Sequence, residues 1–366
     1  MKIEVIKEKL QSAAGKAQRL AGKHPSLPIL SHLLLIAKRG FLTLRSTNLD
    51  MGVEYTLPVK VEKEGAVAVP AGVFTSFVAN LGSVKSVLLE EDEGKLVVSA
   101  DGARAVVNGA SSDDFPTIPK AEGGIFIMDP QLLLRGLRSV QYAGAIGNLK
   151  PELSSVYVYQ GGEELVFVAT DSFRLAEKKI PFKKSAASFQ PVLIPIKNAA
   201  EIARILEEEK EEVRLSFGKG QLSIEGKGLF FTTRLVEGSF PDYRQIMPKE
   251  FVTEAIALKE DILSALKLTT LFSDRFNQVH LHLDPKKKLF ELSAKSGEAG
   301  ESKSSLPAAL TGETLSSNFN HRYIADGLAA LSVDSVAFRF SGENKPLLIA
   351  GASDASFRYL VMPMNR

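Results

Sequence analysis

The stretch GSFPDYRQIMP, Gly238–Pro248, has the same layout as an earlier stretch, SSDDFPTIP, Ser111–Pro119. In both, small and acidic residues flank a phenylalanine-proline pair, and an aliphatic residue followed by proline ends the stretch. The two lie about a third of the 366-residue chain apart. Self-similarity at a fixed spacing is the sequence signature of internal repeats. We therefore interpret the rest of the chain as copies of one unit.

A strand followed by a helix occurs three times, beginning near residues 2, 124 and 253. In the first, KIEVI precedes KEKLQSAAGKAQRLAGK, whose apolar residues recur at helical spacing and predict a helix from about Lys7 to Lys23. In the second, GIFIMDPQLLLRGLRSVQYA has Asp129 as the predicted N-cap and Pro130 at the first helical position. The third is EAIALKEDILSALKLTTLF. Each third of the chain is therefore predicted to open on a strand-helix unit.

A second helix follows in each third, in VAVPAGVFTSFVANLG, PVLIPIKNAAEIARILEE and SSNFNHRYIADGLAALS. Alternating segments such as SSVYVYQGGEELVFVAT predict antiparallel strands between the helices. FPTIP and FPDYRQIMP are then the exits from the first two copies, and LVMPMNR is the end of the third. The pattern predicts an α+β protein with three similar domains, each with two helices packed on antiparallel sheet, over residues 1–119, 120–249 and 250–366.

Composition limits the class of protein. The chain has no cysteine, which excludes a disulfide framework and thiolate metal sites. It shows no run of about 18 apolar residues and no signal-peptide pattern at the start, so we expect a cytoplasmic protein. With 45 Lys and Arg against 43 Asp and Glu, only an uneven distribution of charge could favour nucleic acid.

Basic residues do cluster on the predicted helices. Lys16, Arg19 and Lys23 are spaced to share one face of the first helix, away from its apolar stripe. The other predicted helices that carry such basic residues have only one or two each: Arg135, Arg138, Lys197, Arg204, Lys267 and Arg322. Such residues more often serve only to keep a protein soluble, so the spacing alone favours that interpretation over DNA binding.

Residues that could carry chemistry have simpler explanations. His280 and His282 share one strand face but lack an evident third ligand, so we expect no metal site. Asp113 and Asp114 precede Phe-Pro and predict a turn, and the segments GKGQ and GKG between residues 218 and 228 predict hairpin turns rather than a phosphate loop. Asp171 and Ser172 lack a histidine nearby in sequence. We expect no catalytic residues, no metal and no cofactor.

Several motifs together resemble the bacterial sliding clamp family, the beta subunit of DNA polymerase III. Each motif alone is weak, but they occur in the family's order and spacing over the whole chain. They are LPILSHLLL (27–35), VPAGVF (69–74), FPTIP, ATDSFRLA (169–176), FPDYRQIMP and VMPM (361–364).

The resemblance implies a three-domain protomer that pairs head to tail into a ring-shaped homodimer, with helices lining the hole and sheets outside. Such a ring encircles duplex DNA without reading its sequence and tethers polymerases as a non-catalytic processivity factor. Its implied partners are double-stranded DNA, a separate ATP-driven clamp loader, and replicative and repair polymerases. The alternative is an α+β repeat protein that shares only the architecture and binds a small metabolite. VMPM together with ATDSFRLA and FPDYR favours the clamp.

For DNA binding, the resemblance implies roles for basic residues of the helices and of two loops. His24 stands where the family often has Arg, and Lys150 lies in a loop, NLKPEL, that lacks the family's aromatics. Both departures suggest a softer grip on DNA, or a grip redistributed to other lysines. The implied set is Lys16, Arg19, Lys23, His24, Arg135, Arg138, Lys150, Lys197, Arg204 and Arg322.

For the dimer, the resemblance implies contact between the outer edge of the first copy and that of the third. Apolar residues would meet at the centre, with basic and acidic residues facing each other at the rim. Ala105 is smaller than the apolar residue common at its position. The implied set is Lys95, Arg104, Ala105 and Val107 opposite Leu271, Phe272, Glu298 and Glu301.

For partner proteins, the resemblance implies a pocket between the second and third copies. It takes short extended peptides that carry a glutamine and an aliphatic-aromatic pair. Phe173 replaces a common His or Tyr, which makes the pocket more apolar, and the ending Asn365-Arg366 departs from the family's basic-Leu close. The implied set is Leu153, Thr170, Phe173, Arg174, Leu175, Pro241, Gln245, Ile246, Pro346, Val361, Met362, Pro363 and Met364.

Overall fold

The structure is a computed structural model that describes residues 1–22, 26–147, 149–182 and 189–364. These residues divide into two compact units. The first unit comprises Met1–Pro130 and Glu209–Leu235, and the second comprises Gln131–Glu208 and Val236–Arg366. The predicted domain limits at 119 and 249 stay a prediction, since the units follow sheets that draw strands from neighbouring copies.

Six α-helices occur in the described part of the chain, two in each third, as the repeat pattern predicts. Their bounds are Lys7–Gln18 (α1), Ala71–Asn80 (α2), Pro130–Val140 (α3), Ile196–Glu207 (α4), Lys259–Thr269 (α5) and His321–Ala330 (α6). No helix among these residues is long and apolar enough to cross a membrane.

The strands fall between the helices. The first third has Lys2–Ile6 (β1), His32–Lys38 (β2), Phe41–Thr47 (β3), Met51–Pro58 (β4), Lys60–Lys63 (β5), Gly65–Pro70 (β6), Ser86–Asp92 (β7), Lys95–Ala100 (β8) and Ala103–Asn108 (β9). The second has Ile125–Met128 (β10), Ser155–Gly161 (β11), Glu164–Thr170 (β12), Arg174–Pro181 (β13), Val192–Pro195 (β14), Val213–Gly218 (β15), Gln221–Gly226 (β16) and Leu229–Arg234 (β17). The third has Thr253–Leu258 (β18), Gln278–Asp284 (β19), Leu289–Ser296 (β20), Gly300–Leu306 (β21), Ala309–Gly312 (β22), Leu315–Asn320 (β23), Ser335–Phe340 (β24), Leu347–Gly351 (β25) and Phe357–Val361 (β26).

The first unit contains two antiparallel sheets. One has five strands in the order β5-β1-β7-β8-β9, so β9 is an edge strand. The other has eight strands in the order β10-β15-β16-β17-β4-β3-β2-β6, in which β17 pairs with β4 from Leu229↔Tyr55 to Thr233↔Met51. Helix α1 packs on α2 and across β3 and β4. The alternating apolar faces of strands and helices thus enclose the core of this unit.

The second unit also contains two antiparallel sheets. Nine strands have the order β14-β11-β12-β13-β26-β25-β24-β18-β22, and four have the order β21-β20-β19-β23, which leaves β21 at an edge. Helix α5 packs on α6 and on β20 and β21, and α4 packs on β11 and β14. Together with the first unit, this confirms the predicted α+β class with paired helices on antiparallel sheet.

The phenylalanine of each repeated exit is an anchor in its own unit. Phe115 of FPTIP is buried in a cluster with Leu34 and Ala68. Phe240 of FPDYRQIMP stacks on Tyr157, with ring centroids 4.9 Å apart and planes 5° from parallel. An aromatic ring buries a large apolar area with few rotatable bonds. This explains why the chain uses the same residue pair at both exits.

One prediction of helix length is wrong. Helix α1 ends at Gln18 rather than near Lys23, because the amides of Arg19, Leu20 and Ala21 bond to carbonyls three residues earlier and tighten the last turn. Lys16 and Arg19 keep helical geometry up to the C-cap. Lys23 and His24 lie outside the described residues.

A short acidic segment separates α4, which ends at Glu207, from β15, which begins at Val213. The predicted hairpin turns are present, with Gly220 and Gly228 both at φ 70° between paired strands. Ser111 caps the short turn at Ser112–Asp114 by accepting a hydrogen bond from Asp113 N, so these aspartates have the predicted turn role.

Candidate partner-binding pocket and DNA-contacting residues

The segment Val361–Met364, here called the tail wall, is held in place by strand pairing. Strand β26 lies between β13 and β25, with Arg174↔Val361 on one side and Leu347↔Val361 on the other. Beyond the strand, Met362 N donates to Phe173 O at 2.8 Å, and Met364 N donates to Asn318 O at 2.8 Å. These bonds fix the backbone while the two Met side chains remain half-buried. Flexible Met side chains can then adapt to varied apolar groups.

A tight turn beside the tail wall presents Phe173 to solvent. Asp171 Oδ1 accepts from the amides of Phe173 and Arg174, and Thr170 Oγ1 accepts from Ser172 N. Ser172 has φ 77°, an uncommon conformation that these bonds stabilise. Phe173 is 64% exposed, which is high for a large apolar residue on an ordered turn.

The Arg174 guanidinium is fully engaged within the protein. Its Nε donates to Asp171 Oδ2 at 2.9 Å and its Nη1 donates to Asp326 Oδ2 at 2.5 Å. The group also lies 4.5 Å from the centroid of the Tyr323 ring. Burial alone would lower the pKa of Arg174, but its interactions with Tyr359, Asp171 and Asp326 raise it above the ordinary arginine value. Arg174 is therefore a fixed cation that ties the turn at Asp171 to Asp326 on α6.

The residues Pro241, Gln245 and Ile246, here called the linker wall, flank a buried tyrosine. Tyr243 packs in an apolar cluster with Leu175, Leu360 and Met247, and Met362 of the tail wall packs on the same cluster. Ile246 is 49% exposed, so it adds apolar surface beside the cluster. Both walls are thus built on one set of buried side chains.

Beneath this cluster lies a hydrogen-bonded group that the sequence did not reveal, here called the carboxylate network: Tyr159, Glu177, Tyr243 and Arg358. Tyr243 Oη donates to Glu177 Oε2 at 2.5 Å, and Tyr159 Oη lies 2.9 Å from Tyr243 Oη. Arg358 donates to Glu177 Oε1 through Nε at 2.9 Å and Nη2 at 2.5 Å. Burial, followed by the bond to Glu177, raises the pKa of Tyr243, so its hydroxyl stays a donor.

Most of the thirteen expected pocket residues lie near one another along these elements. Thr170, Phe173, Arg174 and Leu175 belong to one turn and strand, and Pro346 directly precedes Leu347, which pairs with Val361. Leu153 is buried in a separate turn, where its carbonyl accepts from Ala145 N. The assignment of all thirteen residues to one peptide pocket stays a prediction.

Comparison with protein-family models decides the family. The N-terminal, central and C-terminal domain models of the DNA polymerase III beta subunit match residues 1–119, 128–242 and 244–365. The chain belongs to this family.

Individual members of the family are similar to this chain along its full length. The beta sliding clamp of Synechococcus elongatus is 26% identical over 372 residues, covering 100% of this chain and 99% of the relative. The DNA polymerase sliding clamp of Bacillus subtilis has a solved structure with TM-score 0.95 and 25% identity, covering 100% and 99% of the two chains. A sliding clamp from Pseudomonas aeruginosa, solved bound to griselimycin, has TM-score 0.95, 25% identity and full coverage of both chains.

The described basic residues expected at DNA are mostly exposed, and all but Lys150, which lies in the loop before β11, are on helices or at a helix end. Arg138 pairs with Glu207 and Arg204 pairs with Glu201, so two of the cations are partly neutralised. Arg135, Lys150, Lys197 and Arg322 are exposed and have no ion pair among the described residues. Lys16 is half-buried, with its Nζ 5.7 Å from the Tyr55 ring centroid, and Arg19 is exposed.

The residues expected at the dimer interface lie on or beside two edge strands. In the first unit, Lys95 is on β8, and Arg104, Ala105 and Val107 are on β9. Val107 is already buried within its own unit and Ala105 is half-buried. In the second unit, Leu271 is 71% exposed, and an added Cβ on Gly300, the first residue of β21, would lie 4.0 Å from the Phe272 ring. Glu298 and Glu301 are exposed at the same strand.

The two strand histidines are satisfied by neighbouring strands. His280 Nδ1 lies 2.8 Å from Asn318 Oδ1, and His282 Nδ1 lies 2.7 Å from Ser316 Oγ, both on β23. Within residues 1–22, 26–147, 149–182 and 189–364, no group of three or more His, Asp or Glu side chains is placed to hold a metal ion.

Proposed function

We propose that this chain is a DNA sliding clamp, a processivity factor that encircles duplex DNA as a homodimeric ring and tethers polymerases and repair proteins to it. The observation that carries the proposal is the match of all three beta-subunit domains in order along the chain. Its role is tethering, with no catalytic step of its own, and its place of action is the cytoplasm. The three structural domains are taken as residues 1–119, 120–249 and 250–366.

The two bare sheet edges support ring formation between copies of the chain. The edge strand β9 ends a five-stranded sheet and the edge strand β21 ends a four-stranded one. If β9 of one protomer pairs with β21 of its partner, the result is a nine-stranded sheet, as large as the nine-stranded sheet of the second unit. Leu271 and Phe272 would close against Ala105, with the Lys95 and Arg104 cations facing Glu298 and Glu301. A head-to-tail contact of this type, repeated twice, closes a ring.

The pocket supports capture of partner peptides. The tail wall is bonded to exposed Phe173 through Met362 N, and Met362 and Tyr243 of the linker segment pack in one buried cluster. An apolar site with a preformed backbone suits a short extended peptide whose aliphatic and aromatic side chains enter it, because little ordering entropy is lost. Partners carrying such peptides would be polymerases, the clamp loader and repair proteins.

Retention on DNA tests the proposal directly. The protein, loaded onto nicked circular DNA by a bacterial clamp loader and ATP, is expected to co-elute with the circle in gel filtration. Cutting the circle once should release it, because a ring that is linked topologically slides off a free end. Equal retention on circular and linear DNA would contradict encirclement and favour ordinary DNA binding. Failure to bind either DNA while binding a small metabolite would favour the alternative repeat protein.

A further inference from the structure

The carboxylate network places the side chain of a glutamate inside a sheet, where acidic side chains are rarely buried. Glu177 carries a carboxylate but is only 3% exposed, and it follows two other buried residues, Leu175 and Ala176, on β13. Both of its oxygens are satisfied: Oε1 accepts from Arg358 and Oε2 accepts from Tyr243. Burying a charge is costly unless it is paired and hydrogen-bonded. The arrangement is therefore stable only while Tyr243 and Arg358 stay in place, which makes it a sensitive positional restraint.

The directions of the hydrogen bonds show that these side chains form one connected series rather than separate pairs. Because Tyr243 gives its only hydroxyl proton to Glu177, its oxygen is left to accept from Tyr159. Arg244, next along the chain, lies with its guanidinium 5.0 Å from the Tyr159 ring centroid. The segment that carries Tyr243 is thus bonded to β11 through Tyr159 and to β13 through Glu177. Through the Glu177 carboxylate it is also connected to β26.

The residues of these hydrogen bonds are close in sequence to residues of the two walls of the proposed pocket. Tyr243 lies two residues from Pro241 and two from Gln245, at opposite ends of the linker wall. Glu177 and Arg358 pair across β13 and β26, three residues from Arg174 and Val361 respectively, which pair with each other. A displacement of the network would therefore reach the linker wall directly and the tail wall along one pair of strands.

We propose that the carboxylate network of Tyr159, Glu177, Tyr243 and Arg358 is a positioning device that holds the linker wall at the spacing from the tail wall that a partner peptide requires. The network does not touch the peptide. It sets affinity by keeping Gln245 and Ile246 in their bound positions before the peptide arrives. This inference rests on the proposed peptide pocket.

The test compares single hydroxyl deletions in two parts of the molecule. Tyr243→Phe keeps the buried ring and removes two hydrogen bonds, the one donated to Glu177 and the one accepted from Tyr159. Ser46→Ala removes a comparably buried hydroxyl that donates to Ala17 O at 2.6 Å in the first unit. Binding of a fluorescein-labelled extended peptide with a glutamine and a Leu-Phe pair is followed by fluorescence polarisation and stopped-flow, and the melting temperature of each variant is recorded.

We expect Tyr243→Phe to raise the peptide Kd by roughly 5- to 20-fold, mainly through faster dissociation, as is usual among variants of one interface. Tyr159→Phe, which removes the outer bond only, should have a smaller effect. Ser46→Ala should leave Kd within about twofold at a similar loss of melting temperature, because distant independent sites do not couple.

Glu177→Gln, which keeps the side-chain shape, provides a second route if Tyr243→Phe folds poorly. It should weaken the peptide in the same direction, and the double variant with Tyr243→Phe should be weaker by less than the product of the two single effects, because both belong to one network. An unchanged Kd for Tyr243→Phe or Glu177→Gln, in a protein whose Met362→Asp variant loses the peptide, would overturn the positioning role and leave the pocket intact. Absence of peptide binding by the unaltered dimer would overturn the pocket itself, and with it the positioning role.

Discussion

At the scale of single residues, the tail wall carries the most direct prediction. Met362 packs on the cluster of Leu175, Tyr243 and Leu360 while remaining half-buried, so part of its surface is open to the proposed partner peptide. Met362→Asp places an anion where partner side chains would bury apolar surface. We expect peptide affinity to fall by at least about 100-fold, since an unpaired charge at a buried contact costs several kcal/mol.

The control for this change is Met51→Asp, which alters a half-buried methionine of the first unit. It should bind the labelled peptide as the unaltered protein does. Deleting residues 361–366 should abolish binding while the dimer mass is kept, and unchanged polarisation with that truncated dimer would refute the assignment of the tail wall.

At the scale of elements, helix α3 lies unusually close to its sheet. A Cβ added to Gly136 would lie 2.4 Å from Phe167 Cε2 on β12, too close for a real contact. Gly136→Ala is therefore expected to lower the free energy of unfolding by about 1–3 kcal/mol through overpacking. Gly15, in the middle of α1, has nothing within 4 Å of an added Cβ. Gly15→Ala should be neutral or stabilise by about 0.5–1 kcal/mol, since Ala is the better helix former.

Urea unfolding of both variants measures this contrast. If Gly136→Ala and Gly15→Ala have equal free energies of unfolding, α3 can move away from Phe167 at little cost in free energy. Loss of stability in Gly15→Ala would mean that α1 has neighbours beyond those of the folded chain, such as a bound partner.

Elements are also the level at which the sequence was most informative. Pro130 at a helix start and the alternation of VYVYQ predict α3 and β11, because capping and period-2 burial are local effects. The end of α1 was missed, since it depends on a tightened last turn that leaves no signal in the helical spacing. Glu177 was missed for another reason. A glutamate between Ala176 and Lys178 resembles a solvent-facing strand residue, and its partners Tyr243 and Arg358 lie 66 and 181 residues away.

For the candidate sites, the resemblance supplied residues that local patterns could not. Periodicity indicated basic helix faces but not which of them would be neutralised by Glu201 and Glu207 within the same unit. Those pairs depend on tertiary placement of long side chains. The tail wall was recognisable only as a motif, because the burial of Val361 and the partial burial of Met362, Pro363 and Met364 follow from sheet order rather than from composition.

At the scale of the whole molecule, the proposed ring depends on apolar contact at its two junctions. Leu271→Asp puts a charge on the most exposed large apolar side chain expected at the junction, and we expect it to convert the dimer to monomer at micromolar concentration. Light scattering should then give the 39.7 kDa chain mass instead of twice that value. The control is Leu258→Asp, an equivalent change at a 53% exposed leucine at the end of β18. Dimer mass for Leu271→Asp would contradict the assigned junction.

DNA binding is predicted to depend on salt and not on sequence. Removing one phosphate contact by Arg135→Gln should weaken binding of short duplexes and reduce the slope of log K against log salt by about 1. Lys219→Gln, in the exposed hairpin turn between β15 and β16, is the matched control and should change neither quantity. A strong preference of the unaltered protein for one base sequence in competition titrations would contradict contact through phosphates alone.

The bare edges of β9 and β21 have a consequence for the solubility of the opened ring. Unpaired strand edges are templates on which other chains can add and aggregate, and proteins protect them with charged side chains. Here β9 carries Arg104, and β21 carries Glu301 and Lys303 on a strand rich in serine. Each time a clamp loader opens such a ring, the β9 edge of one protomer and the β21 edge of its partner would be exposed to water and to other proteins. The charges that help the correct edge to return are the same ones that discourage any other strand from taking its place.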